Sequence, residues 1–439
     1  MEVTVIGAGL AGCEAAWQLA QRGIKVRLFE MKGKKFSPAH KSEQFAELVC
    51  SNSLRAGGLA NAVGLLKQEM RDLGSVIMNC ADASKVPAGG ALAVDREQFS
   101  AMVTEKIMNH DNIAVERREV TEIPKDGICI VATGPLTSDA LAENIKNYTG
   151  DEYLSFFDAA APIVTYESID MDLAFFGSRY DKGEDDYINC PMNREEYLAF
   201  YQELISAECA ELHDFEKKNV FEGCMPVEIM AARGEDTLRF GPLKPVGLKR
   251  KGSDERHYAV VQLRREDLSG TMFNLVGFQT HLKWGEQKRV FSMIPALHDA
   301  EFVRYGVMHK NTFLNAPKLL NSQYQLIQNP RIFFAGQITG VEGYCESASS
   351  GLLAGIAAYH YAAGKEFPNL PETCAIAGLA NYISTSPAKQ FQPMNVNFSL
   401  IPPLNQRIKN KKEKNETLSY RALTDLQVFL QNHEEFQPK

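Results

Sequence analysis

Near the N-terminus, Gly7-Ala8-Gly9-Leu10-Ala11-Gly12 has the spacing of a phosphate-binding turn. In such a turn Gly7 permits the tight bend, Gly9 lets a pyrophosphate approach the backbone, and Gly12 lets helix and strand pack closely. The amides that open the following helix point at the phosphates. Glu30 ends the next strand-like run, where a carboxylate accepts hydrogen bonds from adenosine ribose hydroxyls. Far along the chain, Phe334-Ala-Gly336-Gln-Ile-Thr-Gly340-Val-Glu342-Gly343-Tyr-Cys-Glu346 sets a second glycine loop against another helix start, and Val131-Ala-Thr-Gly134 is a strand ending in a Thr-Gly turn. A second helix end of this kind meets a flavin edge and stabilises charge on the reduced ring. NAD alone would leave that loop without a role. FAD is therefore the expected dinucleotide, bound by Gly7, Ala8, Gly9, Leu10, Ala11, Gly12, Glu30, Gly134, Gly336, Glu342 and Gly343.

These residues need elements to position them. Residues 2–6, 11–22 and 25–30 read as strand, helix and strand, a βαβ unit. Helices are expected over 63–73, 96–109, 194–210, 346–363 and 417–431, and buried strands over 127–134 and 331–336. Otherwise the last 75 residues read as loop-rich. The two dinucleotide-type segments lie at opposite ends of the chain. This predicts an α/β, FAD-binding two-dinucleotide (Rossmann-like) fold with an inserted α+β domain: 1–158 and 301–439 form the FAD domain, and 159–300 the inserted substrate and RNA-binding domain.

At 439 residues, 45% hydrophobic and 23% charged, the composition is that of a soluble globular protein with more than one core. No run suits a membrane span and no leader is legible, so a cytoplasmic monomer or homodimer is expected. The net charge of −8 conceals a split. Residues 151–238 hold 21 acidic and 6 basic residues, whereas 239–318 hold 14 basic and 7 acidic. Local positive potential decides phosphate binding, so RNA is permitted as a partner, although charge runs are more often solvated faces. The nine cysteines show no CxxC spacing, and no metal site is expected.

Several longer blocks carry a family resemblance: Leu48-Val-Cys-Ser-Asn-Ser-Leu-Arg55, Gly223-Cys-Met-Pro-Val-Glu228, Asp236-Thr-Leu-Arg-Phe-Gly-Pro-Leu-Lys-Pro-Val-Gly247, Gly277-Phe-Gln-Thr, Lys283-Trp-Gly-Glu-Gln-Lys-Arg-Val-Phe291 and Arg304-Tyr-Gly-Val-Met-His-Lys-Asn-Thr312. Over nearly its whole length the chain resembles the folate- and FAD-dependent tRNA (uracil-5-)-methyltransferase family. The resemblance implies methylation of C5 of uridine 54 in the T loop of tRNA, with methylenetetrahydrofolate as carbon donor and NAD(P)H as reductant. A related flavoenzyme acting on ribosomal RNA or a wobble uridine, and a non-catalytic RNA-binding flavoprotein, are the rival readings.

The resemblance also assigns two thiols, Cys50 and Cys224, as catalytic residues. C5 of uracil is a poor nucleophile until a thiolate adds at C6, and a base must later take the C5 proton. Which thiol does which is left open. An ordinary cysteine is a small buried hydrophobe, the reading for Cys13, Cys80, Cys129, Cys209 and Cys374. Cys345, in the flavin-side loop, is read as neutral. Folate stacked on a flavin wants a ring on its far face; His309 is the candidate and His281 the second choice.

Overall fold

The computed structural model describes the chain except residues 151–153, 160, 182–184, 211–224, 251, 253–255, 268, 307 and 438–439, and gives backbone alone for 154–159, 181, 308–310 and 390. Five strands form a parallel sheet in the order Ile332–Phe334, Ile128–Val131, Glu2–Ile6, Lys25–Glu30, Ile113–Arg117. The opening strand is therefore central. Its β-branched Val3, Val5 and Ile6 are buried, as expected for a sheet covered on both faces. The fifth strand arrives from the far end of the sequence and pairs Ile332 with Cys129.

Helix Leu10–Gln21 leaves the opening strand through Gly7, whose φ of 98° lies in the left-handed region that favours glycine. It packs against the 19-residue helix Tyr344–Ala362 through small residues. A Cβ on Gly351 would stand 2.1 Å from the Ala11 carbonyl oxygen, and one on Gly355 2.8 Å from that of Ala15. The two helices thus approach backbone to backbone. One hydrophobic core collects residues from Val3 to Ile145 and again from Phe313 to Phe436.

A second core, spanning Ala161 to Ala300, backs a six-stranded antiparallel sheet. Its order is Phe175–Phe176, Tyr187–Met192, Ala259–Arg265, Met272–Leu275, Ile163–Thr165, Phe302–Arg304. Among the expected helices, that over 194–210 stops at Ser206. Beyond it, Cys209 bridges to Leu282 in a short antiparallel ladder, so tertiary pairing overrides the helical pattern there. The tail holds more helix than expected: Ala375–Thr385 as well as Lys411–Asn432. The first is capped from outside, its Ala375 and Ile376 amides donating to the Glu69 carboxylate at 2.8 and 2.9 Å. No local cap marked its start in the sequence.

Candidate functional site

A cavity of about 310 Å³ opens where the helices Leu10–Gln21 and Tyr344–Ala362 begin. Gly7, Gly9, Leu10, Ala11, Glu30, Gly134, Gly336, Glu342 and Gly343 line it, as does Cys50. Of the expected dinucleotide residues, Ala8 and Gly12 act from behind the wall. The Ala8 amide donates to Glu30 Oε2 at 2.7 Å, and a Cβ on Gly12 would stand 1.8 Å from the Gly7 carbonyl oxygen. A Cβ on Gly9 would meet nothing within 4 Å, so this helix start is open towards the cavity. These are the roles that a pyrophosphate cradle requires. Glu30 also accepts the Lys32 amide at 2.9 Å, which fixes the carboxylate at the strand end. The residues therefore fit an adenine dinucleotide, with a second helix start on the same cavity to face its other end.

Cys50 sits on a loop held by unusually many cations. Arg96 donates to the Leu48 carbonyl, Arg304 to that of Val49, and Arg264 to Ser51 Oγ at 2.7 Å and Asn52 Oδ1 at 3.1 Å. Asn52 in turn donates to the Val94 and Arg265 carbonyls at 3.0 and 2.9 Å. Arg264 and Arg304 belong to the inserted sheet, so the second unit grips the loop directly. From the other side, Tyr344 Oη accepts the Cys50 and Ser51 amides at 2.8 and 3.2 Å. Burial pushes the Arg264 and Arg304 pKa values down; for Arg96 burial also lowers it, but Glu266, 2.8 Å away, together with Tyr344 and Cys50, raises the value on balance. A thiolate at Cys50 favours the charged form of all three guanidiniums.

Behind the loop, buried Lys67 donates to the carbonyls of Leu54, Arg55 and Ala56 at 2.8, 3.2 and 2.6 Å. Arg55, at φ 63°, pairs with buried Glu346 in the first turn of the flavin-side helix. Glu346 also accepts the Val396 amide at 2.9 Å. Sequence reasoning named Arg55 only as a polar neighbour of Cys50 and missed Lys67, Arg96, Arg264, Arg304 and Tyr344, because their partners are backbone groups and side chains remote in sequence. Arg55, Arg304 and Tyr344 nevertheless lay within blocks that had been singled out.

The other thiols divide. Burial pushes Cys80 and Cys345 up to about 11 and Cys129 to about 12, and raises Cys13 and Cys374 as well. Cys345 donates to the Leu54 carbonyl at 3.6 Å, a packing role. Cys209 departs from the expectation of a buried hydrophobe: it is half-buried and stands beside His281 and Glu228. His281 is buried in the inserted unit and does not line the cavity, so its second-choice role against folate is withdrawn. Although burial alone would lower its pKa, Cys209 and Glu228 raise it to about 9. Cys224 and the His309 side chain lie outside the described residues.

Part of the basic stretch 239–318 is engaged within the protein. Besides Arg264 and Arg304, Arg239 lies over the Tyr258 ring, Arg250 donates to the Asp172 and Ala174 carbonyls, and Lys283 and Arg289 pair with glutamates.

The parallel sheet, the glycine turn with its terminal acid and the second helix start on one cavity define a two-dinucleotide α/β protein of the flavin-binding type. A sequence profile of the family described as glucose inhibited division protein A matches residues 2–366. A methylenetetrahydrofolate–tRNA-(uracil-5-)-methyltransferase TrmFO of Acetivibrio thermocellus is 62% identical over 431 residues, 98% of this chain and 99% of that protein. Its counterparts in Anoxybacillus flavithermus and Listeria monocytogenes are 61% and 60% identical, over 98% and 96% of this chain and 99% and 97% of their own. The chain belongs to the glucose inhibited division protein A family and, within it, to the methylenetetrahydrofolate–tRNA-(uracil-5-)-methyltransferases. The fold is shared with Aquifex aeolicus GidA, with a TM-score of 0.70 at 16% identity over 99% of this chain and 77% of that one.

Proposed function

We propose that this protein is an FAD enzyme that methylates C5 of uridine 54 in the T loop of tRNA, taking the carbon from methylenetetrahydrofolate with NAD(P)H as reductant. The observation that carries the reading is the meeting of Cys50, the opening helix start and the flavin-side helix start on one cavity. The names of the close relatives supply the donor and the acceptor. FAD, when bound, supplies the redox chemistry and the surface on which the one-carbon unit is handled.

The chain's own residues do the rest. Gly7, Gly9 and Gly12 shape the pyrophosphate cradle, and Glu30 would hold the ribose. The start of helix Tyr344–Ala362, with Gly336, Glu342 and Gly343 on the cavity wall, would meet a bound flavin. Arg96, Arg264, Arg304 and Tyr344 hold the Cys50 loop so that its thiol stays at the cavity. Cys50 and Cys224 divide two tasks: one thiolate adds to C6 of the uracil, and the other takes the proton from C5. The target base leaves its stack to reach them. His309 is proposed as the ring on the far face of folate.

The test is transfer of label from methylenetetrahydrofolate, labelled in the methylene carbon, to tRNA lacking T-loop methylation, with NADPH supplied. Label in 5-methyluridine at the T loop is expected. Flavin that is reduced while no base gains label would overturn the assignment. Cys50→Ala and Cys224→Ala proteins mixed with 5-fluorouridine T-arm RNA then sort the thiols. A covalent complex formed equally by both variants would remove each as sole nucleophile.

A further inference from the structure

We propose that Cys209, Glu228 and His281 form a zinc site in the inserted unit, separate from the dinucleotide cavity. One donor atom from each residue lies within 4.8 Å of the other two. No cavity-lining residue is shared with this group. The three donors come from separate segments that the backbone fixes together. Cys209 bridges to Leu282, the Ala210 amide donates to the His281 carbonyl at 2.8 Å, and the Lys283 amide donates to that of Glu208 at 3.0 Å. Glu228 is anchored independently, accepting the Thr280 hydroxyl at 2.8 Å and the His281 amide at 3.0 Å.

The second observation is the imidazole itself. His281 is only 7% exposed, and its Nδ1 stands directly against the Glu228 carboxylate, so two of the three donors already converge in a buried place. Thiolate, imidazole and carboxylate together suit zinc rather than magnesium or calcium, and three protein donors leave a fourth position for water. Given Zn–S of about 2.3 Å and Zn–N of about 2.0–2.1 Å, donors around an ion stand roughly 3.5 Å apart, inside the 4.8 Å that encloses the three here. Binding releases the thiol proton and any proton on the imidazole to solvent. Cys209 and Glu228 flank, in sequence, the segment that carries Cys224, so one ion ties the two ends of that segment together.

Untagged, reduced full-length protein would be incubated with zinc sulfate, desalted and analysed for metal. About one tightly held ion per chain is expected. Cys50→Ser/Cys224→Ser should retain it, and Cys209→Ser and His281→Asn should each lose it. Cobalt(II) in place of zinc should give ligand-field bands to the red of oxidised flavin that Cys209→Ser abolishes. Melting curves of the single variants establish that they are folded. Wild-type protein retaining no more zinc than folded Cys209→Ser or His281→Asn would overturn the proposal. So would loss of the ion from Cys50→Ser/Cys224→Ser alone, which would assign it to those thiols.

Discussion

Tyr344→Phe removes one oxygen and little else. That oxygen accepts two amides, from Cys50 at 2.8 Å and Ser51 at 3.2 Å, and it links the flavin-side helix to the thiol loop. A buried amide left unpaired costs about 1–3 kcal/mol. The first contact is short and the second marginal, so about 2 kcal/mol is a fair sum for the pair. Spread over the loop's equilibrium between held and released arrangements, that corresponds to roughly a 30-fold loss of the held form. The ring remains, so the cradle and helix start are unchanged. The assay is flavin content per chain alongside single-turnover methyl transfer. Full flavin with a rate reduced roughly 10- to 100-fold is expected. A wild-type rate would refute the claim that Tyr344 holds the loop. Loss of rate in proportion to loss of flavin would show that the hydroxyl supports the cofactor site instead.

Gly351→Ala places a methyl 2.1 Å from the Ala11 carbonyl oxygen, so the two helices must separate; protein purified with reduced flavin and a lowered Tm is expected, and full flavin content would refute it. Lys67→Met leaves three carbonyls without their shared donor, which should destabilise the fold by at least about 3 kcal/mol in urea unfolding; a change under about 1 kcal/mol would contradict this. Burial raises the Glu69 pKa from its ordinary 4.5 to about 8, against the two amides that favour its charge. Between those values the folded state binds more protons than the unfolded one, so this group's contribution to stability falls as pH rises. Glu69→Gln keeps an acceptor but no charge, and its Tm should decline less than the wild type's from about pH 5 to about pH 8. Parallel declines would exclude Glu69 as the source.

The opening strand, helix and strand were legible because period and glycine spacing agree there, and Glu30 followed from its place at the strand's end. The thiol loop was legible only as a resembling block. What holds it comes from Arg96, Arg264, Arg304 and Tyr344, whose partners are carbonyls, amides and side chains remote in sequence, which no local pattern encodes. The same limit explains the helix Ala375–Thr385, capped by Glu69 from another helix. It also explains Cys209, whose surroundings depend on a ladder formed with residues 281–283. The charge run is a weak guide in its own right. Arg239, Arg250, Arg264 and Arg304 contribute to a basic stretch by sequence, yet each is engaged by groups of the protein itself.

The parallel sheet also has a consequence for biogenesis. Its strand Ile128–Val131 is flanked on one side by Glu2–Ile6, made early, and on the other by Ile332–Phe334, made after the entire antiparallel unit. Until the ribosome passes residue 334, one edge of an otherwise buried sheet stays unpaired. Until helix Tyr344–Ala362 follows, the small-residue face of the opening helix stays uncovered. Non-local parallel pairing is slow to form and exposes apolar edges meanwhile. The nascent N-terminal segment is thus a natural client for chaperones, and ribosome stalling between residues 160 and 330 would leave it prone to aggregate.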